Sequence, residues 1–260
     1  MNIDLYDKIG VGYDSTRHAD GYILSRLIEL LDAPKGARIL DVACGTGNYT
    51  VGVSNAGYKM TGIDISEEML NSAREKDSSV NWIECDVTEL PFDSGSFDGA
   101  MCTLAIHHFP DLVAAFSEIY SAIEHGNFVL MTCSHKQIRN YWLYRYFPKT
   151  LEIMTTYMPD YDTVVDALVS AGFAISRCEN YFISGELCDN FLGSRMDHPE
   201  LYLDPEFRRG MSIFAAKANS ATVEEECECL RAAIESGECE KFLSQYRNLY
   251  GDYMFIVATK

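Results

Sequence analysis

Residues 39–50 read Ile39-Leu40-Asp41-Val42-Ala43-Cys44-Gly45-Thr46-Gly47-Asn48-Tyr49-Thr50. An apolar run ends in an acid, a glycine turn follows, and a helix opens at Asn48. Glycines let the backbone turn sharply and approach a ligand with no Cβ in the way, while the first turn of the next helix presents N–H groups without helical partners. A nucleotide-like cofactor suits that arrangement. A dinucleotide fingerprint requires a third small residue for close helix packing, and Thr50 stands there instead. Asp41 would repel a pyrophosphate and attract an ammonium group, so the pattern favours a cationic ligand.

Outward from this stretch, strands and helices alternate. Arg38 to Val42 reads as a buried strand, Asn48 to Asn55 as a helix, Lys59 to Ile63 as a strand and Glu67 to Lys76 as a helix with Ser66 as its N-cap. Val80 to Glu84 and Phe97 to Thr103 supply strands, Leu112 to Glu124 a helix, and Phe128 to Cys133 a strand entered through Gly126-Asn127. Asp162 to Ser170 then reads as a helix, with Ala174 to Ile183 and Tyr253 to Thr259 as the last two strands. The expected fold class is α/β: a doubly wound, Rossmann-like, mostly parallel seven-stranded sheet with helical lid insertions. Its expected divisions are a helical cap over residues 1–35, a cofactor-binding core over 36–135, an aromatic lid with a core helix and strand over 136–185, a helical insertion capping the substrate over 186–250, and a final core strand over 251–260.

Composition narrows the partners. The 260 residues include 39 acids against 21 Lys and Arg, a formal net charge of −18. That balance opposes nucleic acid or an anionic membrane as partner and favours a small-molecule acceptor. No run approaches the roughly 20 apolar residues of a membrane span, and Met1 to Lys8 lacks the features of a signal peptide, so a cytoplasmic protein is expected. Nine cysteines without a secretory signal read as reduced thiols. Cys227, Cys229 and Cys239 lack the spacing of a metal site, and no metal is expected.

Asp41 to Gly47 resembles motif I of the class I S-adenosylmethionine-dependent methyltransferases, with Ala43 standing where the usual form has its first glycine. Asp64, 23 residues beyond Asp41, matches the acid that in this family holds both ribose hydroxyls; an ionised carboxylate suits a vicinal diol on chemical grounds alone. The resemblance implies that Ile65 and Met69 sandwich the adenine, that Asp86, with Val87 beside it, accepts from the adenine amino group, and that Leu104 lies near the methionine part. Ala43, Gly45 and Gly47 would form the cofactor loop. Tyr13 would close over the cofactor and Arg17 would meet its carboxylate. The segment Met101 to Phe109 resembles the small-molecule branch that includes the ubiquinone and menaquinone biosynthesis methyltransferases. The implied cofactor is S-adenosyl-L-methionine, with S-adenosyl-L-homocysteine as product and an O, N, C or S nucleophile as acceptor.

His107 and His108 are the candidates for proton handling, because imidazole accepts a proton near neutral pH. Tyr141, Trp142, Arg145 and Tyr157 in the aromatic stretch, and Arg195 in the insertion, are candidates for the acceptor site. Three alternatives stay open: a cofactor-binding protein with a regulatory or non-methylating role, a methyltransferase acting on a macromolecule such as tRNA, and a nicotinamide-dependent oxidoreductase, which Asp41 and Thr50 fit poorly.

Overall fold

A computed structural model describes residues 17–184, 187–217 and 219–260, without the side chains of residues 216 and 217. Seven strands form one sheet: β1 (Arg38–Val42), β2 (Lys59–Asp64), β3 (Asn81–Glu84), β4 (Gly99–Thr103), β5 (Asn127–Thr132), β6 (Ala174–Tyr181) and β7 (Tyr253–Thr259). Their spatial order is β3-β2-β1-β4-β5-β7-β6. The first five run parallel, and β7 lies antiparallel to both β5 and β6. Order reverses between β1 and β4, which opens a crevice at the carboxyl ends of those strands.

Alternation along each strand makes two cores, one per face. Ile39, Met101, Val129 and Phe255 point to one side, where helices α1 (Gly21–Leu31) and α2 (Asn48–Asn55) pack. Leu40, Cys102, Leu130 and Ile256 point to the other, beneath α4 (Leu112–Ala122) and α7 (Tyr161–Ser170). Helix α3 (Glu67–Lys76) joins β2 to β3. Side chains cap several of these helices: Asp20 accepts from the N–H groups of Tyr22 and Ile23, Ser66 from that of Met69 and Asp111 from that of Ala114. Ser66 is therefore the N-cap expected of it.

Element ends differ from the sequence reading for visible reasons. β4 begins at Gly99 because Phe97 meets only Ile123, in an isolated bridge. That bridge also draws Ile123 into extended backbone and stops α4 at Ala122. The chain from Ser134 to Met158 builds α5 (His135–Arg139), a 3-10 turn (Trp142–Arg145) and α6 (Pro148–Tyr157). Between β6 and β7 lie a 3-10 turn (Pro199–Leu203), α8 (Pro205–Arg209), a π turn (Ile213–Lys217), α9 (Ser220–Glu235) and α10 (Glu238–Gln245). Glu226 of α9, only 5% exposed, fixes this insertion to the rest: it accepts from the Lys149 and Thr150 N–H groups and the Thr150 hydroxyl at 2.7, 3.4 and 2.5 Å, satisfying the open start of α6. No helix among the described residues is long and apolar enough to cross a membrane.

Candidate cofactor and acceptor site

The crevice at the strand ends deepens into a cavity with about 200 Å³ open to the centres of water molecules. Asp41 from β1, Asp64 from β2, Cys85 to Val87 after β3, Thr103 and Leu104 at the end of β4, and Thr132 of β5 all reach it. The loop after β1 is unusual in its backbone. Ala43, Gly45 and Gly47 all have left-handed φ angles, +55°, +54° and +73°. Gly45 has open space where a Cβ would stand, whereas a Cβ on Gly47 would lie 2.4 Å from the Trp82 ring. The first glycine leaves room in the cavity, and the second lets the loop close onto β3.

Ala43 pays for its conformation, since a left-handed residue with a Cβ costs roughly 1–2 kcal/mol. Ala43→Gly is expected to stabilise the fold by about 0.5–1 kcal/mol, part of the relief being offset by the greater freedom of glycine in the unfolded chain. Chemical denaturation of the two proteins checks this, and a lower midpoint for the glycine variant would contradict it.

The three acids hold different surroundings. Asp64 accepts from the Gly45 N–H at 2.8 Å with one oxygen and from the Ser66 N–H at 2.9 Å with the other, which locks the carboxylate between the two loops. Burial raises its pKa, and those N–H groups work against the rise. Asp86 turns one oxygen to the Thr88 N–H and hydroxyl at 2.9 and 2.8 Å, so it also makes the ordinary turn that an aspartate makes after a strand. Asp41 is 3% exposed and accepts from the Thr50 hydroxyl at 2.6 Å. Burial pushes its pKa up to about 7, with the Thr50 bond opposing.

A cation seated beside Asp41 must therefore displace a proton below about pH 7. Affinity for S-adenosylmethionine is expected to climb towards tenfold per pH unit up to that pH and then level off. Asp41→Asn should flatten the profile; an unchanged slope in that variant would contradict it, the measurement being titration calorimetry across pH 5 to 9. In the empty protein the raised pKa favours folding with the carboxyl protonated. That contribution is complete below its ordinary value of 3.8 and is lost as the pH rises through about 7.

Ile65 and Met69 line the cavity beside Asp64, and Val87 does so beside Asp86. His107 and His108 stand on a 3-10 turn (Ile106–His108) just past β4, their ring centroids 3.7 Å apart. Leu104, also left-handed at φ +56°, donates its N–H to the Met131 carbonyl at 2.9 Å and so re-aims the chain before that turn. The Tyr157 ring lies 5.8 Å from that of His107 and faces the same cavity. Burial raises the pKa of both cavity cysteines, Cys85 to about 11, which keeps these thiols protonated and poor nucleophiles.

Other expected site residues stand elsewhere. Tyr141 and Trp142 are core residues, their polar atoms satisfied by the carbonyls of Asp252 at 2.7 Å and Gly193 at 3.1 Å. Neither reaches the cavity: the Tyr141 ring lies 5.9 Å from that of Tyr253 on β7, and the Trp142 ring packs edge-on against Tyr202 of the insertion at 5.4 Å. Arg145 lies over the Phe242 ring at 4.9 Å, and Arg195 donates to Asn190 at 2.8 Å; both are away from the cavity lining. Arg17 does reach it, but its guanidinium pairs with Asp189. Tyr13 lies outside the described residues.

Several lining residues carried no sequence signal. Met154 and Met158 on and after α6, with Phe191, Met211 and Ile213 from the insertion, form an apolar wall of the same cavity. Asp189 joins it as the one acid there. None of these residues belongs to a motif, whether on a helix, in a turn or in a loop, and only tertiary packing assembles them. The cations that interleave with the aromatic stretch are used up on the outside: Arg139 pairs with Glu152 at 2.5 Å and Lys149 with Glu225 at 3.1 Å.

A strand order reversed at β1 and β4, a glycine loop and carboxylates on successive strand ends define a doubly wound α/β protein with an acid-lined ligand crevice at its switch point. Comparison with known proteins makes this specific. A methyltransferase-domain family profile matches residues 39–126. A demethylmenaquinone methyltransferase of Staphylococcus aureus is 35% identical over 111 residues, 40% of this chain and 46% of that protein. The chain thus spans about half the length of the curated relatives it matches. A solved structure from Anabaena variabilis, carried as a candidate methyltransferase of an antibiotic biosynthesis pathway, is 31% identical, with 94% of this chain and 99% of that one aligned and a TM-score of 0.83. A geranyl diphosphate C-methyltransferase from Streptomyces coelicolor shares the fold at 15% identity, with 92% of this chain and 75% of that one aligned and a TM-score of 0.56. The chain belongs to the class I S-adenosylmethionine-dependent methyltransferases. S-adenosylmethionine is the cofactor of that family.

Proposed function

We propose that this chain transfers the methyl group of S-adenosylmethionine to a small, uncharged acceptor held against the apolar wall of the cavity. The observation that carries this reading is the convergence of Asp41, Asp64, Asp86 and the loop from Ala43 to Thr46 with the histidine pair in one cavity. The donor set fits the cofactor: carboxylates suit a ribose diol, an amino group and cationic centres, and phosphate would find four acids there. In this reading Asp64 holds the ribose, Asp86 and Val87 meet the adenine with Ile65 and Met69 on its faces, and Leu104 borders the methionine part.

When bound, the cofactor supplies an electrophilic methyl on a sulfonium, so the chain contributes alignment, exclusion of water and proton removal. His107 or His108 takes the proton of an acidic nucleophile, and Tyr157 orients it. Met154, Met158, Met211 and Phe191 exclude water and cover apolar acceptor surface. The only lysine or arginine at the cavity among the described residues is Arg17; with no second one there to meet an anionic acceptor, an uncharged acceptor is supported. The name of the Staphylococcus aureus relative supports a small-molecule acceptor.

The test is release of S-adenosylhomocysteine from methyl-labelled cofactor in the presence of phenols, amines, thiols, carboxylic acids and tRNA. Turnover with uncharged apolar acceptors is expected. Turnover confined to tRNA or to anionic acceptors would overturn the reading, as would cofactor binding without transfer to any class.

A further inference from the structure

We infer that Asp189, carried by the insertion between β6 and β7, is a positioning residue for the amino-acid end of the cofactor, where it holds Arg17 and Tyr49. The inference rests on the reading of the cavity as an S-adenosylmethionine site.

Asp189 is 1% exposed, yet it borders the cavity. Its carboxylate accepts from Nε and Nη2 of Arg17, the second at 3.3 Å, and from the Tyr49 hydroxyl at 3.2 Å. Three remote pieces of chain meet there. Asn48, first residue of α2, donates through Nδ2 to the Arg17 carbonyl at 3.1 Å. The Asp20 N–H lies 3.4 Å from the Tyr49 oxygen, and the other end of Asp20 accepts from the Cys188 N–H at 3.2 Å. Residues 17–20 are thereby strapped between the helix that follows the glycine loop and the loop that carries Asp189.

The position of this cluster gives it a role. Tyr49 adjoins Thr50, whose hydroxyl is on Asp41 of β1, and Phe191 packs edge-on against Tyr253 of β7 with centroids 4.8 Å apart. The strap therefore sits on the β1 and β7 side of the crevice, while Asp64 and Asp86 stand at β2 and β3 on the other. A ligand with its ribose on Asp64 and its base towards Asp86 has its remaining part, the amino acid, directed at the strap. A buried carboxylate alone would repel the α-carboxylate of that ligand. An arginine fork held by Asp189 cancels that charge, and guanidinium geometry allows one group to donate to two carboxylates. The insertion thus completes the donor site as well as walling the acceptor.

Calorimetric titration of the full chain with two ligands tests this. S-adenosylhomocysteine contains the amino acid; 5′-methylthioadenosine has the same nucleoside and thioether without it. Asp189→Ala and Arg17→Ala are each expected to weaken S-adenosylhomocysteine about tenfold or more while 5′-methylthioadenosine changes less than about twofold, and the double variant should lose little more than either single one. Asp189→Asn and Tyr49→Phe, milder changes that serve if the alanine variant does not fold, should show the same selectivity with smaller losses. Equal weakening of both ligands would mean a merely structural strap and overturn the inference, as would unchanged S-adenosylhomocysteine binding. A native chain that binds neither ligand would instead overturn the cofactor reading itself.

Discussion

Asp64→Ala should weaken S-adenosylhomocysteine binding by about 100-fold or more. Two hydrogen bonds from a diol to a carboxylate are at stake, and bonds to a charged partner contribute about 1.5–3 kcal/mol each, so even the lower figure for both exceeds two powers of ten in affinity. The same carboxylate ties Gly45 to Ser66, so its removal also loosens the loop that borders the ligand. Thermal unfolding separates the two effects. A binding loss far larger than the accompanying loss of stability supports the ribose role, and binding within about threefold of the native protein would remove Asp64 from the site.

Gly47→Ala should cost about 2–4 kcal/mol of stability, the sum of left-handed backbone strain and overpacking against a rigid ring. The ring cannot retreat easily, because the Trp82 indole N–H is anchored on the Asp77 carbonyl at 2.8 Å and its six-membered ring also lies over Gly62. Gly45→Ala provides the comparison. It has the same backbone strain without a neighbour within 4 Å, and the lower freedom of alanine in the unfolded chain offsets part of it, so about 0.5–1 kcal/mol is expected. Denaturant midpoints of both variants check the difference. A double variant with Trp82→Phe should recover part of the loss at position 47 and none at position 45, and equal costs at the two glycines would show that the Trp82 contact does not decide the matter.

What the chain reveals before folding is uneven, and the reasons are physical. β1, α2, β2 and α3 were legible because each has its own local cause: an apolar run buried on both faces, a glycine turn, a serine cap. The acids at the strand ends were legible because strand order places every such end in one crevice. The aromatic stretch was not. Tyr141 and Trp142 have the composition of a binding wall, but Tyr141 is extended backbone and Trp142 opens a 3-10 turn where a continuous helix would be needed, and backbone carbonyls satisfy their polar ends. Tyr157, at the end of a regular helix, does face the cavity.

Arg17 shows the other kind of gap. The sequence suggests a cation for the amino-acid end, yet its partner lies 172 positions away in a loop with no periodicity or motif. Loop closure over that distance leaves no local imprint, and the pairing becomes visible only when α1, α2 and the insertion pack together. Ends of elements were imprecise for a related reason. The Phe97–Ile123 bridge joins residues from two elements, and it shortens both.

The acidic and apolar parts of the cavity lining thus have different origins. The acidic part is built from strand ends and the loop that follows β1, and the apolar wall from α6 and the insertion. Glu226 fastens α6 to the insertion, and Asp189 fastens the insertion to Arg17 and Tyr49. The measurement that tests the central claim most directly is titration of the native chain with S-adenosylhomocysteine and, separately, with NAD. One molecule of S-adenosylhomocysteine per chain, displaced by S-adenosylmethionine and accompanied by no binding of NAD, is the predicted result. Binding of NAD in place of S-adenosylhomocysteine, or of neither, would contradict it.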